Sequence, residues 1–192
     1  MAEPAIRPMT LDEFLRWNNG TDTRYELVGG FPLAMTPPSE PHGALAIRLG
    51  GRVDASLASR RPCRAVAEAG IVHPEHADDF FVADIAVTCA PVDRRRQYMS
   101  EPILLVEILS PSTERHDRRV KVPVYQRIPS AQEILLVDSE EHYAELHRRQ
   151  GDQWIIQISI GPAAVIALAS VGSEISMSEL YEGLIATEDQ SA

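Results

Sequence analysis

Acidic residues inside apolar runs are the first candidates for chemistry in this chain. Asp84 interrupts FFVADIAVT, from Phe80 to Thr88, and Glu107 interrupts ILLVEIL, from Ile103 to Leu109. An unpaired carboxylate in an apolar setting costs several kcal/mol or takes up a proton. Each therefore implies a cation, a donor cluster or exposure at a strand end. Carboxylates on adjacent strands make a rigid oxygen-donor set for Mg²⁺, which binds through one or two carboxylates plus substrate phosphate and keeps several waters. The alternative is that both are solvent-facing acids at strand ends.

A cation lies close by in the chain. The basic segment Arg115, His116, Arg118, Arg119, Lys121 follows the Glu107 strand, and Lys121 is the single lysine among 18 basic residues. Lysine is a compact point charge that can orient or activate a water, whereas arginine is a planar fork that stays protonated. A plain helix pair between Asp117 and Lys121, worth a few tenths of a kcal/mol, is the other reading. Glu26 is a further strand-borne acid. His42 stands at the start of a helix as a ligand, a proton shuttle or a structural histidine. Arg118 and Arg119, near the acids, are better phosphate contacts than the loop residues Arg94, Arg95 and Arg96. Ser110 and Ser112 have no G-x-S-x-G elbow around them and read as cap and turn.

The elements that must position these groups follow from local patterns. Thr10 and Glu13 form a capping box that opens a short helix to Trp17. Arg24 to Val28 and Phe31 to Met35 flank Gly29-Gly30 as a hairpin, which places Glu26 in its first strand. After the proline-rich TPPSEP loop, Leu45, Leu49, Val53 and Leu57 recur every four residues and predict an amphipathic helix to about Ser59. Three strands come next, Arg64 to His73, Phe80 to Thr88 and Ile103 to Leu109, with PEHADD as a loop between the first two. Asp117 is expected to cap a second helix to about Arg127, with Lys121 and Tyr125 on one face and a kink at Pro123. Glu133 to Asp138, His142 to Arg148, Trp154 to Ile160 and Ala163 to Leu168 are late strands, Ser176 to Leu184 is a short helix, and ATEDQSA is an acidic tail. Neither a repeat nor a linker divides the chain.

With 192 residues, the chain is long enough for one domain with a substantial core. Its formal charge of −10 argues against a broadly basic nucleic-acid-coating surface, though not against a local basic groove. Cys63 and Cys89 have no metal-ligand spacing, read as small core residues rather than a disulfide scaffold, and fit a reducing cytoplasm. No stretch approaches the roughly 18 to 20 apolar residues of a membrane span, and MAEPAIRPMT lacks a signal-peptide pattern. The expectation is a soluble, cytoplasmic protein.

Taken in order, TLDEF, RYELVGG, PPSEPHG, AEAGI, ADIAV, VEILSPST, KVPVY and ILLVD resemble the Uma-two family of restriction-endonuclease-like proteins, within the PD-(D/E)XK nuclease superfamily. The resemblance runs from Thr10 to about Gly151. It implies a mixed α/β (α+β) fold, helix-strand-strand-strand-helix-strand, with a bent mixed sheet flanked by helices, an extra N-terminal hairpin and extra C-terminal strands. One domain, residues 1–192, is expected, with its core at about 42–138. By the same resemblance Asp84, Glu107 and the carbonyl of Ile108 are metal ligands for Mg²⁺ or Mn²⁺, Lys121 is the catalytic lysine and Glu26 an accessory acid. Arg118, Arg119 and His42 are the expected nucleic-acid contacts. Ala83 stands where the superfamily motif has proline, and Leu109 where it has its lysine, so Lys121 acts from the following helix. The implied activity is metal-dependent phosphodiester hydrolysis of nucleic acid, most naturally DNA, by a homodimer. The alternatives are a non-catalytic nucleic-acid- or protein-binding module on the same fold, and an enzyme acting on a small phosphorylated substrate.

Overall fold

Thr10 accepts from the Glu13 N–H while Glu13 reaches back to the Thr10 N–H, and this capping box opens α1 (Leu11–Arg16). The computed structural model that shows it describes residues 7–73 and 76–185. Gly29 and Gly30, both at positive φ, turn β1 (Tyr25–Val28) into β2 (Phe31–Ala34). Ser39 caps α2 (Glu40–Ser56). Then come β3 (Arg64–His73), β4 (His76–Thr88) and β5 (Pro102–Leu109). A helical stretch of α3 (Glu114–His116), a π turn (Asp117–Lys121) and α4 (Val122–Tyr125) leads to β6 (Glu133–Asp138), β7 (Tyr143–Gln150) and β8 (Gln153–Ile160). The described chain closes with β9 (Val165–Leu168), β10 (Ser173–Ser176) and α5 (Met177–Leu180). The acidic tail read at 186–192 lies outside the described residues.

The main sheet runs β2-β1-β4-β5-β6-β7-β8, with β3 also paired to β4. Only β5 and β6 run parallel, joined by the helical stretch; the other neighbours are antiparallel. The architecture is thus the expected mixed α+β fold, a mostly antiparallel sheet flanked by helices. β4 is the pivot. One of its edges is taken by β3, while on the other Ile85 to Thr88 pair with β5 and Phe80 pairs with Leu27 of β1. Between Phe80 and Ile85 this second edge changes partner, so backbone groups there must find side chains.

Each face of the sheet carries its own core. On one, Leu45, Leu49 and Val53 of α2, with Leu57 at its C-terminal cap, pack with Ile85, Val106, Leu135, Ile166 and Met177. On the other, Val122 and Tyr125 of α4 pack with Phe81, Leu105, Leu109 and Leu136. Several expectations are corrected. β4 begins at His76, taking in most of the segment read as the PEHADD loop, whose Pro74 and Glu75 lie outside the described residues. The late helix is shorter than Ser176 to Leu184, and β10 precedes it to pair with β9. Asp117 does not cap its helix but lies inside it, because Ser110 and Thr113 already start the turn before Glu114. Pro123, which has no N–H for the Arg119 carbonyl, is met by a π turn in which the Val122 N–H bonds to the Asp117 carbonyl. Cys63 and Cys89 are joined as a disulfide, since pairing of Arg64 with Thr88 sets their flanking residues side by side. A separation of 26 residues hid that adjacency, and the cysteine argument for a reducing compartment falls with it. Among the described residues no helix is long and apolar enough to cross a membrane.

The two sides of α2 give a direct stability test. Leu49→Ala should cost about 2–5 kcal/mol in urea unfolding, because the side chain is fully buried and leaves a cavity. Ile47→Ala, two residues away but 79% exposed, should change stability by less than about 0.5 kcal/mol. Similar losses at both positions would contradict the burial of this face.

Candidate functional site

The change of partner along β4 is where the candidate residues meet. Val82 lies in the unpaired stretch, and its two backbone groups are satisfied by charged side chains. Its N–H donates to Glu26 Oε1 at 2.9 Å, and its carbonyl accepts from Lys121 Nζ at 3.0 Å. The same Nζ lies 3.1 Å from Glu26 Oε1, 3.2 Å from Glu107 Oε2 and 3.2 Å from Asp117 Oδ1. Four oxygens, from β1, β4, β5 and the π turn, therefore surround one buried ammonium. Tyr125, one turn on from Lys121, donates its hydroxyl to Glu107 Oε1 at 2.6 Å, and His116 Nε2 stands 3.1 Å from Glu26 Oε2.

Asp84 and Glu107 each lie one residue beyond Ile85 and Val106, where the β4–β5 pairing ends, and close enough for Asp84 to raise the Glu107 pKa. Asp84 Oδ2 accepts the Ile108 N–H at 2.7 Å and lies 3.3 Å from His42 Nε2 at the start of α2. The N–H and carbonyl of one strand residue project to the same side, so the Ile108 carbonyl also turns towards Asp84. Asp84 keeps 23% of its side chain exposed while Glu107 is almost wholly enclosed, so Asp84 marks the mouth and the Glu107–Lys121 pair the floor.

This donor set fits a hard divalent cation. Asp84, Glu107 and the Ile108 carbonyl offer oxygens only, and each Glu107 oxygen keeps a lone pair beyond its present bond. Three carboxylates, Glu26, Glu107 and Asp117, share a single lysine while Asp84 stands beside His42, and this crowding of acids suits Mg²⁺ or Mn²⁺. Among the described residues no group of three His, Cys, Asp or Glu side chains forms a complete cage. A cation held here would have to keep waters or take ligands from substrate, as Mg²⁺ does.

The electrostatics follow from burial and crowding. Burial opposes the Lys121 charge, but Glu107, Glu26 and Asp117 outweigh it and hold the pKa above the ordinary lysine value. The raised pKa favours the ammonium form of Lys121 over a neutral amine that could act as a general base. Burial pushes the Glu107 carboxyl well up, Lys121 offsets this only in part, and Asp84 and Asp117 add to the rise. Asp117 is raised by burial against the pull of Lys121 and Thr113. For Glu26 burial is again the largest influence, yet His116, Lys121 and the Val82 N–H together hold its pKa below the usual value. His42 is raised by its hydrogen bond to Asp84, with burial opposing.

Of the residues singled out from sequence, Glu26, Glu107 and Lys121 converge, and Asp84, Ile108 and His42 adjoin them. Arg118 turns elsewhere: its Nε donates to Glu114 at 2.8 Å and a terminal nitrogen to Glu145 at 2.5 Å. Arg119 is exposed and makes no ion pair among the described residues, so it remains able to meet a phosphate. The Asp117–Lys121 helix pair exists too, but as one of four contacts. His116 and Tyr125 were not read as site residues. The i, i+4 spacing of Asp117, Lys121 and Tyr125 was the available signal for Tyr125, whereas nothing local tied His116 to Glu26, 90 residues earlier.

Lys121→Met would leave buried carboxylates without their counter-charge and should destabilise the protein by about 3–5 kcal/mol at pH 7. Without the ammonium, Glu107 and Asp117, already raised by burial, rise further and Glu26 loses part of what holds it low, moving the folded-state values up from the unfolded values near 4. Stability is then retained below that pH and lost as pH rises, by at most about 1.4 kcal/mol per unit for each proton. Adding Glu107→Gln should recover part of the loss at pH 7 and none at pH 4. Urea unfolding across this range is the check, and a loss independent of pH would mean that Lys121 contributes by packing alone.

Comparison with known proteins agrees with this architecture. The Uma2 family, described as "Putative restriction endonuclease", matches residues 11–178. The uncharacterised protein slr1290 of Synechocystis sp. is 29% identical over 183 residues, covering 94% of each chain. A second uncharacterised Synechocystis protein, sll1609, is 25% identical over 170 residues, covering 86% of this chain and 96% of its own. A crystal structure described as a "putative nuclease belonging to DUF820" from Anabaena variabilis superposes with a TM-score of 0.75 at 22% identity, over 91% of this chain and 98% of its own. That likeness carries the fold, and the family match extends from α1 through the split sheet to α5: the chain belongs to the Uma2 family.

Proposed function

We propose that the protein is a divalent-metal-dependent nuclease that hydrolyses phosphodiester bonds, with DNA as its substrate. The observation that carries this reading is the buried Lys121 ammonium bound to Glu26, Glu107, Asp117 and the Val82 carbonyl, with Asp84 bonded to the N–H of Ile108, the residue after Glu107. The family description supports the same reaction class. Asp84, Glu107 and the Ile108 carbonyl would hold Mg²⁺ or Mn²⁺. When bound, such a cation supplies a Lewis acid for the phosphate and lowers the pKa of a water.

The chain's own residues do the rest. Lys121 fixes the carboxylates of Glu26 and Glu107, offsets charge that builds on the phosphate and helps orient the attacking water. Its raised pKa favours the ammonium form, so it acts as donor and charge. Glu26, ionised and clamped by His116 and the Val82 N–H, holds Lys121 in place. Tyr125 sets the rotamer of Glu107. His42 keeps Asp84 oriented, and Arg119, exposed on the helical stretch that carries Lys121, would contact the backbone of a nucleic acid.

Asp84→Asn keeps shape and removes charge, so it is the cleanest test. Mg²⁺ or Mn²⁺ should raise the unfolding temperature of the wild type, by the equivalent of about 2.7 kcal/mol at one hundred times the dissociation constant, and Asp84→Asn should abolish that shift. Single-turnover cleavage of labelled DNA and RNA should fall by at least about a hundredfold, or roughly 2.7 kcal/mol of transition-state stabilisation. Lys121→Arg, checked for folding, should lose turnover to a similar extent, because a guanidinium does not fit the ammonium's four-oxygen site. Nucleic-acid binding without any metal-dependent cleavage in the wild type would replace this reading with that of a non-catalytic binding module.

A further inference from the structure

β8 ends the main sheet, and its free edge is unusual for an exposed strand. Ile155, Ile156, Ile158 and Ile160 are 45%, 53%, 56% and 72% exposed. The whole strand, QWIIQISI, has no charged residue in a chain of net charge −10. Edge strands are ordinarily blunted by lysine, proline, bulges or inward charges, and this one has none of them.

The backbone direction of β8 can be worked out from its neighbours. The Arg149 N–H donates to Gln132, on the β6 side, so Gln150, Arg148 and Leu146 direct theirs to β8. Gly161 donates to the His142 carbonyl, which puts residues 153, 155, 157, 159 and 161 of the second strand towards β7. The amides and carbonyls of Trp154, Ile156, Ile158 and Ile160 therefore point outward, with no strand against them among the described residues.

We infer that this edge is a homodimer interface, in which β8 pairs antiparallel with β8 of a second copy about a two-fold axis at Gln157. That register sets Ile156 against Ile158 and Trp154 against Ile160, each a hydrogen-bonded pair of outward-facing residues, and would form about eight main-chain hydrogen bonds. The same face reads apolar in both directions from Gln157, which a two-fold interface requires of its surface. An uncharged strand is also where two acidic copies meet without opposing carboxylates, and it offers no charge for a basic or acidic peptide to recognise. The interface is independent of the chemistry proposed at Lys121.

Sedimentation velocity of the full chain across a concentration series tests it, since the readout is mass alone. The wild type should be a dimer. Ile158→Pro removes an outward N–H that the β7 ladder does not use, so the monomer keeps its sheet while self-association weakens by at least about a hundredfold. If that variant fails to fold, Ile156→Lys with Ile158→Lys, both at positions more than half exposed, serves instead. Gln157→Cys should oxidise to a covalent dimer, because paired residues at the axis have Cα atoms about 4.5 Å apart, within disulfide reach. A wild type that stays monomeric, a dimer unaffected by these edge variants, or a Gln157→Cys dimer that does not cross-link would each overturn the inference.

Discussion

A single buried ammonium closes the gap in this sheet. Where β4 passes from β5 to β1, Val82 would leave an N–H and a carbonyl unsatisfied, at a cost comparable to lost hydrogen bonds. Glu26 and Lys121 fill those places, and Glu107 and Asp117 complete the ring around Nζ. The contacts tie β1, β4, β5 and the helical stretch together at one point. Because each partner is buried, removing any one strands the others, so the cluster holds together only as a unit.

Its position also explains the local irregularities around it. Pro123 forbids a regular α turn, and the π turn it accompanies carries Asp117 and Lys121 inward together. Glu68, next to the strand partner of Ala83 on β3, has a positive φ rarely taken by residues other than glycine, asparagine or aspartate. Such departures from regular geometry are often found at sites that need a fixed arrangement, and Glu68 lies opposite the Asp84 stretch of β4.

The charge balance connects this architecture to the proposed chemistry. An ammonium shared by Glu26, Glu107 and Asp117 cannot neutralise them all, and burial, with Asp84 and Asp117 nearby, pushes the Glu107 carboxyl well up. A divalent cation at Asp84 and Glu107 would offset that crowding of negative charge and present a charge matched to a phosphate. The site therefore combines a rigid, buried ammonium at Lys121 with a partly exposed carboxylate at Asp84, the combination that lets preorganised charges act strongly on a substrate.

Local patterns in the sequence determined much of this protein. The i, i+4 stripe of Leu45, Leu49, Val53 and Leu57 is buried as read, the capping box at Thr10 forms, and β3 and β6 keep their expected bounds. Acids within apolar strands also marked Asp84 and Glu107, since a buried charge is conspicuous among aliphatic residues. Tertiary structure alone decided the Cys63–Cys89 pairing, the turn of Arg118 towards Glu145 and the clamp of His116 on Glu26. The π turn likewise required the lysine to reach inward to four oxygens. Those outcomes depend on strand register and on which charges share a dehydrated volume, quantities that residues distant in sequence settle only when the sheet closes.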